Sequence, residues 1–374
     1  MTLSRQDQHF LDLAVRIGAR GNGATWPNPS VGCVITRGGR IIARAATARG
    51  GRPHAEVQAL AQAGAEARGA CAYVSLEPCA HDGTTPSCAG ALADAGIARV
   101  VTALVDPDPR TSGRGHARLR AAGVDVVAHA AAAAARVAHR GFLSRVERGR
   151  PWLVLKLAVS ADGRIATATG ESRWITGPAA RREVHAMRAR SDMVLVAAGT
   201  ARADDPELTV RGMGEVAQPV RAVASRHLDL PEDGRLARSA SGPGPLWLCH
   251  GADAPSDRLE RWRARGARTL PVPIGPGRQI DPAGLLEELA AQGIGEVLCE
   301  GGGAFAASLL AAGLVDELVV FTAGLALGAE GQPGLGAMGI DRLADAPRFA
   351  LSCLRAVGPD AMAIWHPVAE RPPV

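Results

Sequence analysis

The sequence predicts an α/β protein built as two units in series, and three observations lead there. Short apolar runs of strand type alternate with segments of helical period through both halves, the pattern of layered α/β sheets. Residues capable of chemistry gather where the predicted strands end, at Glu77-Pro78-Cys79 and at Glu300-Gly301-Gly302-Gly303. Arg148-Gly149-Arg150-Pro151 interrupts the alternation, and a chain of 374 residues is long enough for two or three domains. The domains expected are 1–149 and 150–374.

Phe10, Leu11, Ala14, Val15 and Ile17 recur at helical spacing and open the chain with a helix that ends at Gly21 and Gly23. Trp26-Pro27-Asn28-Pro29 is a rigid turn into a strand over 31–35, and Arg37-Gly38-Gly39-Arg40 makes a hairpin to 41–43. Asn28 precedes a proline and so sits in extended backbone; its amide either faces a pocket or closes the turn. Pro53 suits the first turn of a helix running through Val57 and Leu60. His54 and Glu56 would then lie at the positive end of that helix. A strand over 72–76 delivers Glu77-Pro78-Cys79, a helix begins at Cys88, and a strand follows over 100–105. After Gly113 come a helix up to Ala122 and a strand over 124–127. The alanine run 130–135 belongs to a connecting helix that ends before Gly141.

The second half opens with a nearly continuous apolar strand, Trp152 to Leu157, as a buried sheet requires. Ser160 to Arg164 is a turn, and a helix is entered at Pro178. A strand over 193–197 ends in Gly199-Thr200, Asp204 to Arg211 forms a loop, and 235–245 reads as surface. Further short strands lie at 246–248 and 269–272. Glu296 to Cys299 feeds the triple glycine and a helix through Leu310. Glycines between strand and helix let backbone amides approach phosphate, although a tight turn asks for glycine on its own account.

His54, Cys79 and Cys88 supply one imidazole and two thiols, enough for a tetrahedral zinc with an open fourth position. Zinc there makes water acidic enough to serve as a nucleophile near neutral pH. Glu56, two residues from His54, is placed to move protons without binding metal. This order, His-x-Glu, then Pro-Cys, then a second Cys, resembles the zinc-dependent nucleobase deaminases. The second Cys of that pattern usually follows after two residues; here eight intervene.

Composition narrows the partners. The apolar fraction is 47% and aromatics only 3%, so Leu, Val and Ala must fill the cores. The net charge is +5 and the pI near 9.1, but the basic residues are scattered. Lys156 is the only lysine, so 41 of the 42 basic residues are arginine. A small phosphorylated substrate suits this better than nucleic acid, which asks for a basic track with interleaved aromatics. Seven cysteines, an odd number without framework spacing, point to a reducing cytoplasm. The first 20 residues are amphipathic and charged, and no uncharged run approaches a membrane span. The expectation is a cytoplasmic homo-oligomer that binds neither membrane nor nucleic acid.

Taken together the motifs resemble the bifunctional riboflavin-biosynthesis deaminase/reductases over nearly the full chain. Pro27-Asn28-Pro29-x-Val31-Gly32, Pro53-His54-Ala55-Glu56-Val57 and the long-spaced Glu77-Pro78-Cys79 to Cys88 match the deaminase half. Lys156-Leu157, Ser160-x-Asp162-Gly163, Glu171-Ser172-x-Trp174-Ile175-Thr176, Gly199-Thr200, Asp204-Asp205-Pro206, Leu208-Thr209-Val210-Arg211 and Glu300-Gly301-Gly302 match the reductase half. The resemblance implies a cytidine-deaminase-like zinc domain followed by a dihydrofolate-reductase-like α/β domain. It implies two reactions on a phosphorylated pyrimidine: hydrolytic deamination, then NADPH-dependent reduction of the ribosyl chain to ribityl. His54, Cys79 and Cys88 would hold one zinc, with Glu56 as general acid and base. By the same resemblance Ser172, Arg188, Leu208, Arg211 and Glu300 would meet the second substrate. Ala158, Trp174, Thr200, Asp204, Ser225 and the run Gly302, Gly303, Ala304, Phe305, Ala306, Ala307 and Ser308 would meet NADPH.

One position departs from the family. An Asp-Ser pair commonly closes the strand that here reads Arg221-Ala222-Val223, and this chain has Ala224-Ser225, followed by Arg226. A lost carboxylate and a nearby arginine would both favour the cofactor with the extra phosphate. The rival reading is a single-activity nucleobase or nucleoside deaminase with a degenerate reductase half, which leaves the second set of motifs without a task.

Overall fold

The computed structural model describes residues 3–81, 86–128 and 132–368. Two compact units emerge, Met1–Arg150 with Gln292–Gly295, and Pro151–Ala291 with Glu296–Val374.

In the first unit helix α1 (Arg5–Ala19) starts with a capping box. The Ser4 hydroxyl accepts the Asp7 N–H at 3.0 Å and the Asp7 carboxylate accepts the Ser4 N–H at 3.4 Å. Strands β1 (Gly32–Arg37) and β2 (Arg40–Ala46) form the expected hairpin. Its two-residue turn has φ of 55° at Gly38 and 78° at Gly39, left-handed backbone that favours glycine. There follow α2 (Ala55–Ala63), β3 (Cys71–Val74), α3 (Cys88–Asp94), β4 (Arg99–Thr102), α4 (Arg114–Ala121), β5 (Asp125–Val127), α5 (Ala132–Ala138) and α6 (Arg140–Arg148). The sheet runs β2-β1-β3-β4-β5, antiparallel up to β3 and parallel from β3 to β5. Leu11 and Ala14 of α1, Ala55 and Ala59 of α2, Leu92 of α3 and Leu119 of α4 pack with Val34, Ile35, Val74 and Val100 in one core. Parallel pairing points the ends of β3 and β4 the same way, so the segments after both strands meet at one edge of the sheet.

One expectation needs amending here. Helix α2 starts at Ala55, and His54 is its N-cap residue in extended backbone, φ −67° and ψ 159°. A proline permits a helix start but does not compel one. The extended residue carries the imidazole off the helix end, where both cysteines stand. The helix of the alanine run, α5, ends at Ala138, before Gly141 as expected, but a second helix, α6, follows it; Ala130 and Ala131 of the run lie outside the described residues.

The second unit contains β6 (Trp152–Ser160), β7 (Arg164–Ala166), α7 (Pro178–Arg190), β8 (Met193–Ala197), α8 (Ala198–Asp204), β9 (Val220–Ala224), α9 (Arg235–Arg238), β10 (Leu246–His250) and α10 (Ser256–Ala264). It continues with β11 (Arg268–Pro271), α11 (Pro282–Ala291), β12 (Glu296–Cys299), α12 (Gly303–Ala311), β13 (Glu317–Ala323), β14 (Gln332–Pro333), β15 (Phe349–Val357) and β16 (Asp360–Pro367). Nine strands form one sheet in the order β11-β10-β9-β8-β12-β6-β13-β16-β15. Pairing is parallel from β11 to β13, and β16 and β15 close the far edge antiparallel. β14 pairs with β7 in a separate small ribbon.

The parallel strands are buried on both faces, which is why their sequences read as continuous apolar runs. Val154, Leu298, Val319 and Phe321 pack with Ala180 and Val184 of α7, while Val196, Val223 and Leu248 pack with Trp262 of α10. Because β6, β8, β9 and β12 run the same way, their carboxyl ends assemble Ala198–Asp204, Ser225–Arg226 and Glu300–Gly303 along one edge, where open α/β sheets bind their ligands. Gly199-Thr200, expected at the end of β8, lie in helix α8. β13 and the β15–β16 hairpin were not legible in the sequence: β15 is exposed along nearly all its length, so it lacks the apolar alternation that marks a strand. Among the described residues no helix is long and apolar enough to cross a membrane.

Candidate active sites

The first constellation forms where β3 ends, where α3 begins and where α2 begins. His54 is the N-cap of α2, Cys79 follows β3, and Cys88 is the first residue of α3. His54 Nδ1 lies 3.3 Å from Cys88 Sγ and 3.8 Å from Cys79 Sγ. The Cys88 N–H donates to Cys79 Sγ at 3.3 Å. The three ligand atoms all lie within 4.8 Å of one another.

Their protonation shows what the trio fits. Cys79 is drawn down to about 4, first by the hydrogen bond from Cys88 and against the opposing effect of burial. Cys88 is pushed up, first by that same bond and then by burial. His54 is raised, chiefly by its bond to Cys79. Two soft sulfurs and an imidazole thus crowd one point, a donor set that matches a dication of zinc type.

Glu56 sits in the first turn of α2 and is 3% exposed. Burial drives its carboxyl up to about 7, and Oε2 has no hydrogen-bond partner. A buried carboxyl with one idle oxygen, beside the trio, is suited to exchange protons with a bound substrate. An open cavity of about 190 Å³ adjoins the trio, lined by Arg52, Pro53, His54, Val57, Cys79, His81, Pro86 and Cys88. His81, between the two cysteines, is a residue that sequence reasoning did not single out. Its Nδ1 is buried and without a hydrogen-bond partner, a polar group held ready at the cavity wall. Asn28, left open between pocket and turn, donates its amide to the Gly51 carbonyl at 3.0 Å and so braces the segment before His54.

Glu77 explains why Cys79 stands where it does. Its buried carboxylate accepts the N–H groups of Asp106 at 3.2 Å, Gly113 at 3.0 Å and His116 at 3.1 Å. Gly113 is the N-cap of α4 and has no side chain to offer, so a residue from the end of β3 caps the helix instead. A Cβ on Gly115 would come within 2.0 Å of the Pro78 carbonyl, so only glycine lets α4 seat against the Cys79 segment.

The second constellation lies at the carboxyl edge of the nine-stranded sheet. Arg188 of α7 meets Glu300 after β12 through two bonds, Nε to Oε1 at 2.6 Å and Nη2 to Oε2 at 3.0 Å. Arg188 Nη1 also donates to the Thr209 carbonyl at 2.9 Å. Lys156 of β6 is drawn down by burial, with Glu300 and Asp204 opposing that fall and Arg188 adding to it. Lys156 was quoted in a motif but assigned no task; being the only lysine among 42 basic residues was the signal. Ser172 donates to Asp204 at 3.2 Å. Leu208 is buried with φ of 59°, left-handed backbone that costs a branched residue about 1–2 kcal/mol. Arg211 is exposed, with Glu207 at 3.2 Å. Both arginines thus have a carboxylate partner, Arg188 the buried Glu300 and Arg211 the more exposed Glu207.

The residues expected at NADPH divide. Gly302 caps α12, and a Cβ there would lie 3.0 Å from the Thr200 hydroxyl, so Thr200 and the α12 N-terminus are neighbours. Trp174 is 66% exposed, with the Arg181 guanidinium 4.5 Å from its ring centroid. Ala158 stands on β6, and Ser225 donates to Asp229 at 3.2 Å. Ala306 and Ala307 are buried, the Ala306 N–H is committed to the Gly302 carbonyl, and the Ser308 hydroxyl donates to the Phe305 carbonyl. Arg226 is bound to the Asp253 carboxylate and donates to the Arg278 carbonyl at 2.6 Å.

Comparison with known proteins finds matches for both halves of the chain. Residues 4–104 match the family described as the cytidine and deoxycytidylate deaminase zinc-binding region, and 151–363 match the RibD C-terminal domain. Riboflavin biosynthesis protein RibD of Escherichia coli is 41% identical over 95% of this chain and 98% of its own length. The structure of Acinetobacter baumannii RibD superposes with a TM-score of 0.87 at 35% identity, covering 98% of this chain and 99% of that one. A Thermotoga maritima protein described as a diaminohydroxyphosphoribosylaminopyrimidine deaminase and reductase gives 0.84 at 28% identity, over 97% of this chain and 99% of that one. With both halves matched in order over nearly full length, this chain belongs to the RibD family of bifunctional riboflavin-biosynthesis deaminase/reductases.

Proposed function

We propose that the two constellations carry out two consecutive steps of riboflavin biosynthesis. The first unit deaminates a diamino-ribosylamino-pyrimidinone phosphate, and the second reduces the ribosyl chain of the product to ribityl with NADPH. The observation that carries this is the pair of separate sites, His54, Cys79, Cys88 and Glu56 in one unit, Lys156, Arg188 and Glu300 in the other. The domains that follow from it are 1–149 for deamination and 150–374 for reduction.

His54, Cys79 and Cys88 would hold zinc, and the chemistry zinc supplies when bound is to make water nucleophilic near neutral pH. Glu56, with its carboxyl near 7 and one idle oxygen, takes the proton of the attacking water and returns it to the departing amino group. His81 orients the pyrimidine from the cavity wall, and Cys79 stays fixed because Glu77 and Gly115 lock the residues just before it to α4.

In the second unit NADPH supplies hydride when bound. Thr200, Trp174, Asp204, Ser225 and Gly302 to Phe305 line its place along the sheet edge. Arg211 takes the substrate phosphate, which a guanidinium binds through two oxygens at once. Glu300, aligned by Arg188, and Lys156 hold the polar groups of the pyrimidine and its ribosyl chain, with Ser172 and Leu208 completing the wall. The reading of a degenerate reductase is not favoured, because residues 151–363 match the reductase family and Arg188 and Glu300 form a buried ion pair there.

A homo-oligomer is supported by β15, an edge strand with Leu351 48% and Leu354 65% exposed, the kind of surface that pairs with another copy. A cytoplasmic, reducing setting is supported by seven cysteines that are all free thiols. Incubation with the pyrimidine phosphate tests the whole reading, following ammonia release and NADPH oxidation separately. Both signals are expected in sequence, and absence of the second with deaminated substrate would reinstate the single-activity reading.

A further inference from the structure

The segment Leu208–Arg211 is buried for three residues and then emerges at the exposed Arg211, ahead of a tip made of Gly212, Met213, Gly214 and Glu215. It belongs to no regular element, and its backbone groups bond to side chains from elsewhere in the unit. Arg188 Nη1 donates to the Thr209 carbonyl at 2.9 Å. The Gln218 amide bonds Val210 on both sides, its Oε1 accepting the Val210 N–H at 2.7 Å and its Nε2 donating to the Val210 carbonyl at 3.1 Å. The Arg211 N–H donates to His185 Nδ1 at 3.2 Å. Four backbone groups in three consecutive residues are thus taken by three side chains. Gln218 stands in for a neighbouring strand and closes the neck of the loop. His185, one turn before Arg188 on α7, holds the residue whose guanidinium reaches out.

We propose that His185 and Gln218 are positioning residues for the reductase substrate, fixing the backbone that aims Arg211 at the substrate phosphate. The inference rests on the reading of Arg211 as the phosphate ligand and goes beyond it, because neither residue belongs to the motifs that carry the resemblance. An exposed arginine on a free loop would lose much of its binding to the ordering of that loop; a loop stapled beforehand binds without that loss. His185 must keep Nδ1 unprotonated to accept the Arg211 N–H. Burial, Arg188 and Arg211 all hold its pKa down, while Glu300 and the Thr209 backbone act against them. The arrangement therefore persists through neutral pH.

The test uses the full-length enzyme, deaminated substrate and saturating NADPH. His185→Ala and Gln218→Ala should each raise the KM for the substrate about tenfold, the size of one or two lost hydrogen bonds, with kcat nearly unchanged. His185→Asn should restore most of the loss, because its side-chain oxygen can accept the same N–H. Gln218→Glu keeps an acceptor for the Val210 N–H and loses the donor to its carbonyl, so it should fall between parent and alanine. This variant and His185→Asn keep the question open to measurement should the alanine variants fold poorly. Hydrogen exchange on the same proteins should quicken at 209–218 and not in α7 or β9. Arg211→Ala, run alongside, should raise the KM at least as much as either alanine variant. If Arg211→Ala raises the KM and both alanine variants keep the parental value, the staple is irrelevant and the proposal fails. A parental KM in Arg211→Ala would remove the reading beneath it, and the proposal with it.

Discussion

Arg188 and Glu300 form a two-pronged ion pair at the carboxyl edge of the second sheet, each side chain only 11% exposed. Burial pushes the Glu300 carboxyl up, but the Arg188 charge and hydrogen bonds outweigh it and leave the group below the usual range. Replacing Glu300 with Gln leaves a buried guanidinium without its counter-charge, a loss of about 3–5 kcal/mol. We expect a lower midpoint in urea unfolding of the second unit and loss of NADPH oxidation, with ammonia release intact. A Glu300→Gln enzyme that still oxidised NADPH at the parental rate would remove Glu300 from the site.

The cysteine pair allows a metal measurement that does not depend on turnover. Purified protein should carry one zinc per chain, and Cys79→Ser should lose most of it, since a hydroxyl is a poorer ligand than a thiolate at this site. Elemental analysis decides the matter; full occupancy in the variant would refute the ligand set.

Separability of the two sites rests on Glu56. Glu56→Gln keeps size and hydrogen bonding but removes the group that moves protons, a role worth about 10²–10⁴-fold. Ammonia release should fall by that factor while zinc stays bound. The same variant, given deaminated substrate, should oxidise NADPH at the parental rate. Equal slowing of both reactions would mean a shared site.

Acid stability should report on His139, which is buried between α5 and α6 and bonded to Ser75 at 3.1 Å. Burial lowers its pKa from 6.5 to about 4. The unfolded chain therefore takes up a proton in this window before the folded protein does, so stability falls as pH drops from 6.5 toward 4. The slope from this one group is at most about 1.4 kcal/mol per pH unit. His139→Gln should flatten that slope in urea titrations of the first unit, and an unchanged slope would assign the acid sensitivity to other groups.

Cofactor preference should respond to Asp253, because its carboxylate holds the Arg226 guanidinium beside Ser225. Asp253→Asn should lower the KM for NADPH relative to NADH by up to about fivefold, the size of a screened surface pair. Arg226→Ala should abolish that gain. If the double variant behaves like Asp253→Asn alone, Arg226 does not read the cofactor phosphate.

The sequence by itself determined the α/β class, the order of most strands, and the chemistry of the first site. Those features are local: apolar runs mark strands buried on both faces, and His54, Glu56, Cys79 and Cys88 each sit in a short motif of specific composition. Lys156 was equally visible, as a single lysine in an arginine-rich chain. Tertiary structure alone decided the rest. That Glu77 caps α4, that Glu300 neutralises Arg188, and that His185 and Gln218 pin the loop before Arg211 are contacts between elements distant in sequence. No spacing rule encodes them, because a hydrogen bond depends on where folded backbones meet rather than on how many residues separate them. The β15–β16 hairpin escaped for a related reason: its exposed faces carry no burial pattern, and only pairing with β13 makes it part of the sheet.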